Sequence, residues 1–600
     1  DQQASERAAY ELHYGKYRNA VQPLLTAASL RVELYPDQRQ ALISGTYTLV
    51  NKSELAIDTI HLATASEVET EDVTFGRAAT PVLVDGDLGH SIYTLQQPLQ
   101  PGDSMQISFE VRFQPQGFAN RGIDNTVVRN GTFVDSRQWM PAIGYQPTRE
   151  LASVGDRKKH GLLAKSAKSS LSDQAERYNL RGREKIRFDA IVGTVEDQTA
   201  VAPGELRKTW AANGRRYFHY TTDAPILNIY VFFSAKYAVR ESQWEDVRIQ
   251  VYYHPEHSQN IGRMIESARA SLAYYTKHFG PYPHRQLKLV EKAGPGSGAI
   301  AFAGTIGYSE GLATLNTDED PRQFDLPFAV IGHEIAHQWW AHQVTPAPVE
   351  GAALLSESLA WYSALGVVEE TYGPGHLQRL LYIMRQSYLT PRSKADVPLL
   401  RANDQFLAYR KGPFAMQALR EYMGADRVNE ALRSLLAKYG TGEPPLPTSL
   451  DLYHELQTRT PDSLQYLLAD LFENNTYWEL ETKTAHAVPT VEGGWQVTLE
   501  IMAQKMQVDT DGVETKEPMD EWVEIGAYAE GGGWENLLYL QKHRVRSGSQ
   551  QLTITVPARP NIVGVDPRNL LIDTQIDNNI KVVKSDSVTR YAAARGMHSR

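Results

Sequence analysis

The sequence predicts a multidomain α+β chain with β structure at both ends and helices between. Apolar and polar residues alternate with period two in the first and last parts of the chain. In the middle the apolar period changes to that of an amphipathic helix. At 600 residues the chain is also too long for one hydrophobic core.

The elements are taken in chain order. Residues 1 to about 20 mix polar and aromatic side chains and read as a helical lead segment packed onto the β domain. Strands are expected at Ser29–Leu34, Ala41–Val50, Ser91–Leu95 and Met105–Phe113, separated by turn signals such as Tyr35-Pro36-Asp37 and Pro101-Gly102-Asp103. The pattern resumes at Glu184–Val192 and Tyr217–Tyr220 and runs to Val247–Tyr253, giving an antiparallel β domain over residues 1–252. A basic, Ser/Ala/Lys-rich insert from Asp156 to about Asp173 interrupts it. Its charges suit phosphate head groups or an acidic partner, but a solvated loop is the expectation.

After Pro255, Met264, Ile265, Ala268, Leu272 and Tyr275 mark one face of a helix that Gly280-Pro281-Tyr282-Pro283 ends. A short strand at Leu287–Val290 leads into the small-residue run Gly294–Gly304. Helices then continue to about Phe472, which sets a mainly helical region at 253–476. From Trp478 the pattern is β again, with clear strands at Trp495–Ile501 and Gln551–Val556, giving a second β domain over 477–585 and an exposed tail at 586–600.

Composition narrows the function. A net charge of -10 gives no electrostatic case for nucleic acid as a partner. The absence of cysteine rules out disulfides, thiolate metal sites and a cysteine nucleophile. No run approaches 18 apolar residues, so no helical membrane span is expected. The chain begins at Asp1 without an initiator Met or signal pattern and is read as part of something longer.

One motif carries chemistry: His333-Glu334-Ile335-Ala336-His337. On a helix, His333 and His337 lie one turn apart on one face, where a single metal ion can take both imidazoles. Glu334 can reach a water on that metal as general base. A catalytic zinc takes three protein ligands, and Glu357, on the next helical stretch, is favoured as the third over Glu350, which precedes Gly351 in a loop. Tyr409 is a phenol on the following helical region and, taken alone, reads as a core residue, one of 31 tyrosines.

Together, His333–Trp340, Ser356-Glu357-Ser358 and Tyr409-x-Lys411-Gly412 resemble the aminopeptidase N family of gluzincin metallopeptidases. His278–Pro283 resembles that family's entry into its thermolysin-like domain, and Asp135–Pro141 its β-domain D-A-R-x-x-F-P segment. The textures Trp339-Trp340-x-His342-Gln343-Val344 and Leu354–Ser358 are most similar to a bacterial branch joined to an ABC-type permease. The resemblance implies an N-terminal β saddle, a thermolysin-like catalytic domain and a C-terminal β-sandwich. It implies one zinc ion held by His333, His337 and Glu357, catalysis by Glu334 and Tyr409, and a peptide substrate on Gly298 and Ala299. It also implies a periplasmic or extracytoplasmic place, tethered to the inner membrane beside a permease domain.

Two departures stand out. Nineteen residues separate His337 from Glu357, against eighteen in most of the family. The family's G-A-M-E-N substrate loop corresponds to Gly298-Ala299-Ile300-Ala301-Phe302, so its amine-binding glutamate is Ala301, and Thr132 falls where a second amine-binding acid usually lies. The expected activity is therefore aminopeptidase-like peptide hydrolysis, with Glu310 or Glu350 as substitute acids. The alternatives are an endopeptidase or a peptide-binding module of a transporter.

Overall fold

The computed structural model describes residues 2–115, 124–165, 168–294, 296–315, 324–389, 397–403 and 407–585, so the expected tail lies outside the described residues. Contacts divide the chain into two compact units: residues 1–321, 325–367 and 429–455, and residues 322–324, 368–428 and 456–600.

The first unit opens with the helix Gln2–Tyr14 and then builds its main sheet. The strands Leu24–Tyr35, Gln40–Val50 and Ser104–Phe113 lie side by side and antiparallel. Gln40–Val50 alternates half-buried and buried residues throughout, as its sequence period requires. Its inward side chains Ile43 and Leu49 join Val32, Ile107, Val111 and Val192 in one core. Gly45 faces Phe109 across the ladder, and a Cβ there would stand 2.3 Å from the Phe109 ring, so glycine makes room for that aromatic.

The pairing of the first strand differs from the antiparallel expectation. Leu24–Tyr35 pairs in parallel with Lys185–Val195, a partner more than a hundred residues away. Period-two alternation reports which face is buried and carries no information on strand direction.

A five-stranded sheet in the same unit frames the site, in the order Ala238–Trp244, Val247–Tyr253, Gln286–Lys292, Thr305–Ser309 and Ala299–Phe302. The strand Val247–Tyr253 is thus a partner of Gln286–Lys292, in parallel, although its sequence runs on seamlessly from the preceding β strands. Ala299–Phe302, inside the small-residue run, forms an edge that, among the described residues, pairs only with Thr305–Ser309. The helices Ile261–His278 and Leu326–Ala336 belong to this unit.

The second unit holds the helices Pro374–Leu389, Gly412–Met423 and Gln465–Phe472 and two β-sheets. Thr476–Pro489 and Trp495–Val508 anchor one sheet, and Asp520–Tyr528 and Leu537–Arg546 the other. Thr482 ties the sheets together: its Oγ donates to Asn579 O at 2.6 Å and accepts from Val565 N at 3.1 Å. A buried lysine, Lys505, bridges Asp470 and Glu521 in this unit.

The basic insert differs from the solvated loop expected of it. Residues Val154–Lys159 are helical and Arg157 is buried. Farther along, Arg177 donates to Leu446 O and pairs with Asp451. Arg157 and Arg177 thus find half-buried acidic partners, Glu11 and Asp451, far away in sequence.

Candidate metal centre

The motif helix is fixed before its histidines come into play. Asp325 caps Leu326–Ala336, accepting from Phe328 N at 3.0 Å, and also pairs with Arg263 at 2.9 Å. From the helix Ile261–His278, Ser267 donates to Phe328 O and Tyr275 donates to Gly332 O, both at 2.7 Å. A Cβ on Gly332 would come within 3.3 Å of Ser271 Oγ, so glycine permits this close helix approach. Trp339 and Trp340 are fully buried, and their indole N–H groups donate to Gly280 O and Ser363 Oγ at 2.9 Å.

On this frame three side chains converge. The helix proper ends at Ala336, and His337 is its cap residue, still in helical conformation. His333 Nε2 and His337 Nε2 stand 3.2 Å apart. Glu357 Oε2 lies 3.3 Å from the first and 3.4 Å from the second. Glu357 sits in a π-helical turn, Leu354–Ser358, that leads into the helix Leu359–Tyr372. The wider turn refines the plain helical stretch expected around Glu357.

This geometry fits zinc. Donors about 2.0–2.1 Å from a tetrahedral centre are separated by about 3.3–3.4 Å, and the three distances all lie close to that range. The His337 Nδ1–H donates to Trp340 O at 3.0 Å, which leaves the Nε2 lone pair facing the cluster. The Trp361 ring lies 4.5 Å from that of His333 and restrains it. Among the described residues, this is the one group of three or more potential ligands within mutual reach.

The electrostatics point the same way. Burial opposes charge on Glu357, yet His333 and His337 hold its carboxyl well below the usual range. Burial likewise opposes charge on His337, but Glu357 and then Glu334 raise it to about 9. The pocket thus favours positive charge. Glu334 is buried within the motif helix.

The edge strand is joined to the metal helix by two residues that sequence reasoning did not single out. Gln338 is fully buried; its Nε2 donates to Phe302 O at 2.9 Å and its Oε1 accepts from Gly304 N at 2.8 Å. His342 Nε2 is 3.3 Å from Ala301 O. Both lie within five residues of His337, but only the fold reveals what their side chains reach.

The other expected residues are spread over both units. Gly298 O accepts from Ser309 N and Oγ, and Ala299 pairs with Tyr308. Ala301 is half-buried on the edge strand, and Thr132 is buried opposite Ser234. Glu310 opens a short helix directly after the strand Thr305–Ser309, and Glu350 is buried with its N–H on Ser169 O. Tyr409 belongs to the second unit, half-buried in the π-helical turn Leu407–Lys411, whose Lys411 is buried and donates to Asn475.

Comparison with known proteins agrees with this geometry. Residues 263–470 match the family model described as Peptidase family M1 domain. The chain is 25% identical over 207 residues to Aminopeptidase M1-C of Oryza sativa subsp. japonica, covering 32% of this chain and 24% of that protein. It is 27% identical over 190 residues to Probable aminopeptidase 1 of Sulfurisphaera tokodaii, covering 29% and 24%. The chain thus spans about a quarter of the length of these curated relatives. Its fold is shared with the M1 zinc metallopeptidase from Deinococcus radiodurans, at TM-score 0.54 and 17% identity, over 76% of this chain and 94% of that one. Residues 263–470, which contain the three converging side chains, are thus the stretch that is similar to the Peptidase family M1 domain.

Proposed function

We propose that the chain is a zinc-dependent peptidase that hydrolyses peptide bonds at the centre formed by His333, His337 and Glu357. The observation that carries this reading is the convergence of three donors at 3.2–3.4 Å beside a buried Glu334. When bound, zinc supplies Lewis-acid polarisation of a carbonyl and lowers the pKa of water.

The protein's own groups do the rest. Glu334 takes a proton from the attacking water and returns it to the leaving amine, acting as base and then acid. Tyr409 donates its hydroxyl to the oxygen on which negative charge develops. The edge strand Ala299–Phe302, with Gly298 and Ala299 at its start, accepts an extended peptide by strand pairing.

Ala301 shapes the specificity. An ammonium group desolvated without a carboxylate partner costs several kcal/mol, so cleavage does not depend on a free N-terminus unless Glu310 or Glu350 takes over. Internal or blocked peptides are the preferred substrates in this reading. The second reading, motivated by the same residue, is a peptide-binding or assembly module of a membrane transporter with little turnover. Placement outside the cytoplasm, beside a permease domain, belongs to this proposal and rests on the sequence textures Trp339–Val344 and Leu354–Ser358 alone.

The test compares aminoacyl substrates with internally quenched peptides, blocked and unblocked, at known zinc content. Glu334→Gln should keep the metal and lose about a thousandfold in rate. An unchanged rate refutes the mechanism. No cleavage by the parent protein, with zinc bound, favours the binding module.

A further inference from the structure

The insert contains an ordered loop built around one buried cation. Arg157 is 4% exposed, and its guanidinium pairs with both oxygens of Glu11 at 2.7 Å. The same group donates to Leu151 O at 2.6 Å and Leu163 O at 2.8 Å, closing the loop at both ends. Ser153 caps the helix Val154–Lys159. Gly161, at φ +68, turns the chain so that Leu162 N donates to Arg157 O at 2.9 Å.

This framework presents two aliphatic side chains to water. Val154 is 83% exposed and Leu163 86% exposed. Lys158, Lys159 and Lys165, close to them in sequence, are also exposed, with Lys159 in a surface pair with Asp156 at 3.1 Å. Between Leu151 and Lys165 there are four basic residues and one acid, in a chain of net charge -10. The loop is tied to the protein through Arg157, yet both aliphatic side chains are left in water on a segment rich in exposed lysines.

We propose that this loop docks the protein on the surface of an anionic lipid bilayer. Val154 and Leu163 enter the interface while Lys158, Lys159 and Lys165 face the headgroup phosphates. A bilayer suits the shape better than an acidic protein. A stable protein partner needs a packed patch of about 800 Å² on each side, whereas a fluid interface accepts single protruding side chains. With two small aliphatics the binding is weak, reversible and salt-dependent.

The experiment is co-sedimentation of the whole chain with vesicles of mixed phosphatidylglycerol and phosphatidylcholine, against phosphatidylcholine alone. Binding to the anionic vesicles only, weakened by added salt, is expected. Lys158→Gln with Lys165→Gln should reduce it about 25-fold, at about fivefold per lysine. Val154→Ser with Leu163→Ser should also release the protein, with circular dichroism and peptide hydrolysis unchanged. Absence of binding to anionic vesicles, or equal binding by the variants, overturns the proposal. So does capture by polyglutamate without vesicle binding, which would assign the loop to an acidic protein. None of these outcomes bears on the zinc centre.

Discussion

Replacing Gln338 by methionine tests whether the edge strand must be held against the metal helix for peptides to be cut. The substitution keeps the side-chain volume but deletes both hydrogen bonds, leaving Phe302 O and Gly304 N without their present side-chain partner. A buried backbone group left unpaired costs about 1–3 kcal/mol, so the two together cost about 2–6 kcal/mol. The strand remains tied to Thr305–Ser309 by its ladder, so most of this cost emerges as loosened placement rather than global unfolding. If about 2 kcal/mol of alignment is lost, kcat/KM for quenched peptides falls about thirtyfold. KM should carry most of the loss, because in the proposed function the strand binds substrate and does not perform the chemistry. Zinc content should be unchanged, since the three donors are untouched. Gln338→Glu keeps the acceptor for Gly304 N but sets a carboxylate against Phe302 O, and should be no better than methionine. A kcat/KM within twofold of the parent protein, or a loss that tracks zinc, refutes the reasoning.

Other expectations concern separate parts of the molecule. Tyr409→Phe should lower kcat by about 10²–10³ with little change in KM; a change confined to KM would remove Tyr409 from oxyanion stabilisation. Lys505→Met strands Asp470 and Glu521 as a buried acidic pair and should cost about 3–5 kcal/mol in urea unfolding of the second unit; a loss under about 1 kcal/mol would mean that water reaches the pair. Burial, then His61 and Arg149, pulls the His90 imidazole down to about 4 from its ordinary 6.5. Between those values the unfolded chain binds the extra proton, so stability falls as pH drops, by about 1.4 kcal/mol per pH unit for this one imidazole. His90→Gln should flatten that slope in urea midpoints measured from pH 6.5 to 4, and an unchanged slope would place the acid sensitivity elsewhere.

Much of the site was legible because its spacing is local. His333 and His337 are joined by one helical turn, and that turn alone puts both rings on one face. The strand Gln40–Val50 was equally legible, since each side chain's burial follows its parity. The edge strand Ala299–Phe302 was anchored only by likeness, because glycine and alanine carry no period. The insert was misjudged for a different reason. Its lysines are solvated as expected, but Arg157 finds Glu11 about 146 positions away, and no local pattern shows such a partner.

The sequence by itself determined the order of β, helical and β regions, the two histidines and their adjacent glutamate. It also determined the absence of a carboxylate at Ala301, because these depend on residue identity and short-range period. Only the tertiary structure decided which strands pair in parallel and that Glu357 Oε2 comes within 3.4 Å of both imidazoles. It alone decided, too, that Gln338 holds the edge strand. Those facts depend on distant segments being brought together by burial of shared apolar faces, a nonlocal effect that no window of sequence contains.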